Sequence, residues 1–290
     1  MDKKNLKWIY LIVLSLVWGS SYILIKKALI GLSPLQVGSL RTIISTVLLL
    51  LIGFSSLKSI PKDKWKWILI TGLVSFIPPF LFAYAQTEID SALAAILNSL
   101  TPFNTLIFGA TLFGFVFKRT QFYGIVIGLI GTLILILNGA SLNPNQNYWY
   151  AFLIIIGSVG YALNANMIKK YLSDLDALAI TTGNFLLLLV PAIIVLVFTD
   201  FFVTFDFNDE VLMQSLGYLA VLSIVGTGIA KTIYNKLVHI SDPVFSSSVT
   251  YLIPLVAIFW GVLDGEKLSL IQVFSGAIIL IGVYLVNKAK

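Results

Sequence analysis

The sequence has no cysteine and one histidine, His239. Disulfides, thiolate metal sites and cysteine nucleophiles are therefore excluded, and the redox compartment is left open. Charge is scarce too: Asp, Glu, Lys and Arg make up 11% of 290 residues, against about 25% in soluble domains. So few charges cannot cover a fold in water. No stretch alternates polar and apolar residues as a transmembrane β-strand would over about 10 residues. Walker A, GxSxG and HExxH patterns are all missing, which removes the motifs for ATP-driven transport, serine hydrolysis and zinc proteolysis. No cofactor or metal ion is implied.

What is present is apolar. Hydrophobic residues form 58% of the chain and mean hydropathy is +0.97. A membrane-spanning helix needs about 20 such residues, and ten segments qualify: 8–26, 35–54, 65–86, 91–117, 121–139, 148–168, 177–199, 211–235, 243–263 and 268–287. Away from the segment ends, only Arg41 and Lys231 place a charge inside them. The first segment follows Lys3, Lys4 and Lys7 like a signal peptide, but no A-x-A-like site follows it, so it is expected to be retained.

The basic residues orient the chain. With the N-terminus inside, fourteen Lys and Arg residues fall on the cytoplasmic side, and three, Lys26, Lys27 and Lys267, fall outside. The positive-inside rule then puts both termini in the cytoplasm. Trp8, Trp65, Trp67 and Trp149 near segment ends suit interfacial anchoring. The net charge of +6 is spread in short inner collars, which argues against a nucleic-acid partner.

A repeat runs through the chain. SLVWGSSYILIKK (15–27) aligns with SVGYALNANMIKK (158–170), pairing Ser15 with Ser158, Trp18 with Tyr161, Ser21 with Asn164 and Lys26-Lys27 with Lys169-Lys170. Five segments lie in each half. Because five is odd, the second half enters the membrane in the opposite sense. The expected fold is therefore an all-α integral membrane protein, ten transmembrane helices as two inverted five-helix repeats around a central cavity. The first repeat is 1–140, the outer connection 141–147 and the second repeat 148–290.

Four stretches resemble the drug/metabolite transporter superfamily, in particular its EamA-like ten-helix members: VWGSSYILIKKAL, SPLQVGSLR, SALAAILNSLTP and GEKLSLIQVFSGAIILIGVYL. The resemblance covers essentially the whole chain. It implies two five-helix halves, a central cavity and movement of small organic solutes. There are departures: the family's Gly-Glu pair stands here as Gly265-Glu266, and Phe117-Lys118-Arg119 takes its place in the first half.

Prolines point to the cavity. Pro102 removes the helical donor for the Asn98 carbonyl, and Pro254 does the same for Thr250. In hydrocarbon an unpaired carbonyl is expensive, so such breaks belong against protein or a water-filled space. Asn98, Thr101 and Asn104 in one half, and Ser247, Thr250 and Tyr251 in the other, are the candidate cavity-lining patches. Kinks serving packing alone are the other reading. Pro78-Pro79 frees the Val74 and Ser75 carbonyls, with Tyr84 beyond, while Pro191 reads as structural.

Trp18, Ser21, Tyr161, Asn164, Lys231 and Tyr234 complete the candidate set, and aromatic walls with placed amides suit an uncharged or zwitterionic solute. Arg41 either attracts an anionic group or serves structure, snorkelling outward or pairing with Glu88 or Asp90. Glu266 is a candidate for coupling. His239 reads as an inner-loop residue. The glycines Gly124, Gly128, Gly131, Gly276 and Gly282 read as scaffold contacts or a homodimer face.

The function expected is secondary transport of small organic metabolites, amino-acid-like or other, outward across a bacterial cytoplasmic membrane by alternating access. A channel or a lipid-handling flippase is the alternative. An intramembrane enzyme is disfavoured, because the spans hold no His, no Cys and no acid away from their ends.

Overall fold

A computed structural model describes residues 3–142, 147–265 and 270–288, and every regular element among them is helical. Helices α1 (Lys3–Ala28), α2 (Pro34–Gly53) and α3 (Trp65–Ala85) come first. The next segment is two helices, α4 (Ser91–Asn98) and α5 (Thr101–Thr111), followed by α6 (Arg119–Leu142). Then come α7 (Ala151–Tyr171), α8 (Ala177–Val197) and the single turn α9 (Phe201–Thr204). Helix α10 (Glu210–Val221) runs through a π-helical stretch, Leu222–Ile229, into α11 (Ala230–Ile240). Last are α12 (Pro243–Ser247), α13 (Val249–Leu263) and α14 (Leu270–Lys288).

Local chemistry sets the starts. Ser33 and Gln36 form a reciprocal capping box, with Pro34 opening α2. Carboxylates of Asp176, Asp209 and Asp242 accept from the free N–H groups that open α8, α10 and α12. Eight helical stretches among the described residues are long and apolar enough to cross a membrane, so this is a multi-pass membrane protein. Helices α6 and α14 occupy the fifth and tenth segments expected from the sequence.

Helix α3 packs on α7, α2 on α8, α1 on α13, α5 on α7, and α6 on α14. At one end of the bundle, Lys26 and Lys27 in the last turn of α1 meet Asp264 after α13 at 3.1 and 2.5 Å. The Gly31 N–H donates to Ser215 Oγ of α10 at the same end. At the other end, Lys64 reaches Asp174 at 2.8 Å and the Tyr171 carbonyl at 2.9 Å. Lys169 there donates to the carbonyls of Val238, His239 and Ser241 and so caps α11.

His239 therefore does not sit in a loop. It belongs to the last turn of α11, with Nε2 buried.

The helix breaks are not quite where the prolines suggest. Pro102 does mark the start of α5, and the Asn98 carbonyl accepts from Thr101 Oγ1 at 2.6 Å. Pro254, however, lies inside α13, and the second break falls between Ser247 and Val249. Serines make that break: Ser246, Ser247 and Ser248 each bond back to a carbonyl three or four residues earlier. Thr250 Oγ1 donates to the Ser247 carbonyl at 2.8 Å, the same spacing as Thr101 to Asn98.

Two glycines have left-handed backbone: Gly114 at φ 71° and Gly265 at φ 92°. Each follows the helix after a break. Gly114 is followed by Phe115, three residues before Lys118. Glu266 lies outside the described residues. Helices α6 and α14 touch backbone to backbone: a methyl group on Gly282 would lie 2.6 Å from the Gly128 nitrogen. Gly124 and Gly282 thus serve contact within the chain; the surroundings of Gly276 are outside the described residues.

Candidate functional site

The helices enclose a cavity of about 110 Å³. One buried water needs about 10–15 Å³ of such space, so a small organic solute fits. The wall draws on α1, α2, α3, α7, α8, the π-helical stretch, α11 and α13, and on both sides of the α4–α5 break. Trp18 and Tyr161, paired by the repeat, both reach it from mid-helix.

The π-helical stretch brings polar groups to the wall. It contributes Gly226 and Thr227, and the Trp18 indole N–H donates to the Gly226 carbonyl at 2.9 Å. Trp18 also lies against Tyr234 with ring centroids 5.2 Å apart. Thr227 accepts from Arg41 Nε at 2.5 Å. Arg41 is only 9% exposed and points into the cavity, so it neither snorkels outward nor pairs with Glu88 or Asp90. Lys231 donates to Asn164 Oδ1 at 2.8 Å and lies 6.0 and 5.7 Å from the ring centres of Tyr161 and Tyr234.

Of the residues expected from sequence, Trp18, Ser21, Asn98, Thr101, Tyr161, Lys231, Tyr234, Thr250 and Arg41 line the cavity. Five lie elsewhere. Asn164 stands behind Lys231, its amide donating to the Thr71 carbonyl at 2.8 Å. Asn104 donates to Ser158 Oγ at 2.9 Å, tying α5 to α7. Ser247 satisfies its hydroxyl on the Val244 carbonyl, and Tyr84 lies 38% exposed on the surface of α3. Tyr251 is fully buried and packs its ring on Gly128.

Sequence reasoning missed Tyr22, Thr42, Phe82, Phe185 and Thr227 on the wall. Tyr22 and Thr42 each adjoin a residue that was chosen, Ser21 or Arg41. Thr227 sits in the GTG stretch at 226–228, whose π-helical path has no sequence signature. At the bundle ends, the Lys27 ammonium, helped by Lys26, holds the Asp264 carboxyl below its usual value. Lys64 does the same for Asp174.

A family model described as the EamA-like transporter family matches residues 6–137 and again 148–288. The chain belongs to that family. YedA of Escherichia coli K12, named an uncharacterized inner membrane transporter, is 27% identical over 97% of this chain and 90% of its own. A probable amino-acid metabolite efflux pump of Escherichia coli K12 is 25% identical over 93% and 90%. A crystal structure 16% identical superposes at TM-score 0.72 over 96% of this chain and 94% of its own, which shows a shared fold. As an EamA-like transporter, this chain has a lipid bilayer for its solvent and a family of solute carriers for its relatives.

Proposed function

We propose that the chain is a secondary transporter exporting small organic metabolites by alternating access. The observation that carries this is one mid-bundle cavity lined by both halves of the chain, with polar clasps, Lys27–Asp264 and Lys64–Asp174, at the two ends of the bundle. The reading includes ten spans in two inverted repeats, 1–140 and 148–290, with both termini cytoplasmic.

Several features support that arrangement. The family model matches once in each half. Ser15 of α1 reaches the Val249 carbonyl of α13, while Ser158 of α7 holds Asn104 of α5; the paired serines thus bond to paired segments. Opposed halves around one site can rock and expose it to each side in turn. The relative named as an efflux pump supports the outward direction.

The test is uptake and counterflow of isotope-labelled metabolite mixtures in proteoliposomes. Saturable flux with counterflow is the expected result. Flux that rises linearly with concentration would indicate a channel, and scrambling of labelled lipid without solute movement would indicate a flippase.

A further inference from the structure

The cavity wall carries two basic side chains, Arg41 and Lys231, and no acidic one among the described residues. Buried charge without a partner is unfavourable, because desolvation is not repaid. Arg41 uses only Nε, on Thr227, and its terminal nitrogens make no hydrogen bond to described residues. A guanidinium fork with its outer donors unused matches the two oxygens of a carboxylate. Lys231 uses one of its three donors, on Asn164.

Both cations line the same cavity, and Arg41 is held there by Thr227, which lies four residues before Lys231 on one continuous helical path. Around them stand the rings of Trp18, Tyr22, Tyr161 and Tyr234, with Phe82 and Phe185 beyond. Such a wall receives an apolar body.

We propose that the cavity takes a small organic anion: a carboxylate on an apolar or aromatic body, without an ammonium group. This deepens the transporter reading and rests on the same cavity. A zwitterion would bring its ammonium to two like charges with no acid to receive it. That departs from the uncharged or zwitterionic solute suggested by sequence, because the sequence did not place Arg41 and Lys231 on one wall.

The experiment measures thermal stabilisation of the purified full chain by a panel of aryl and alkyl 2-oxo acids. Each is compared with its amide and with its 2-amino counterpart, for instance phenylpyruvate with phenylpyruvamide and phenylalanine. Carboxylates are expected to bind at least about tenfold tighter than either counterpart, in keeping with the loss of a charged hydrogen bond. Arg41→Gln and Lys231→Gln should each abolish the preference, and Arg41→Lys, which keeps charge without the fork, should retain part of it should Arg41→Gln fail to fold.

Equal stabilisation by amide or amino acid overturns the proposal, as does an unchanged preference in folded Gln variants or no carboxylate response at millimolar concentration. Counterflow separates the two readings. Amino acids moving while carboxylates neither bind nor move leaves a transporter and removes the anion; carboxylates binding without flux does the reverse.

Discussion

Arg41 Nε and Thr227 Oγ1 meet at 2.5 Å across the cavity wall, joining α2 to the π-helical stretch 186 residues away in sequence. The contact is buried and charge-assisted, so its loss should be felt both in the site and in the fold. Thr227→Val keeps the shape and deletes the acceptor. We expect it to lower stability by about 1.5–3 kcal/mol and to weaken solute binding, whereas Thr227→Ser should behave as wild type. Thermal unfolding and saturation transport on both variants check this; a wild-type-like Val variant would mean the contact contributes nothing.

Tyr251 gives a contrasting case. Its ring fills space against Gly128 and its hydroxyl reaches the Ile125 carbonyl only at 3.4 Å. Tyr251→Ala should therefore cost about 3–5 kcal/mol by leaving a cavity. Tyr251→Phe should stay close to wild type, with unchanged solute affinity. A Phe variant that folds normally but loses affinity would put the hydroxyl in the binding site after all.

The contact between α6 and α14 is measurable through Gly282. Gly282→Ala adds a methyl group against the Gly128 nitrogen and the Gly124 carbonyl. Overpacking of this kind costs about 1–3 kcal/mol. The expected signature is a lowered unfolding midpoint with solute affinity unaltered in the folded fraction.

Acid should loosen the clasps at the bundle ends. Asp264 and Asp174 have folded values below the usual 3.8, because lysines hold them ionised. A depressed carboxyl contributes stability at pH above its unfolded value, and that contribution is lost as pH falls through the folded one. The unfolding midpoint should accordingly drop below pH 3.8 in wild type, with a shallower drop in Asp264→Asn. The effect is small, since both groups are close to water. Parallel acid limbs in the two proteins would show that the clasp does not titrate.

Uncharged runs were enough to place the helices, because lipid punishes any other choice. Breaks were harder to read. A proline announces itself, yet Pro254 is carried inside α13, while Ser246, Ser247 and Ser248 interrupt the helix about two turns earlier. Hydroxyls that compete for backbone carbonyls act by number and setting, which a single sequence shows poorly. In the site, the repeat alignment reached Trp18 and Tyr161 because equivalent positions face the same centre. It could not separate Asn164, one turn of packing behind the wall, from its partner Ser21, which lines it. Tyr22 and Thr227 escaped because nothing in their own neighbourhoods specifies the rotation of a helix.

The backbone contact between α6 and α14 has a mechanical consequence. Side chains at a helix interface can change rotamer and let two rods roll or slide. At Gly282 the neighbouring atoms are the backbone of Gly124 and Gly128, with no rotamer to yield. Those two helices are held as one unit, and in the proposed alternating-access cycle they would move together.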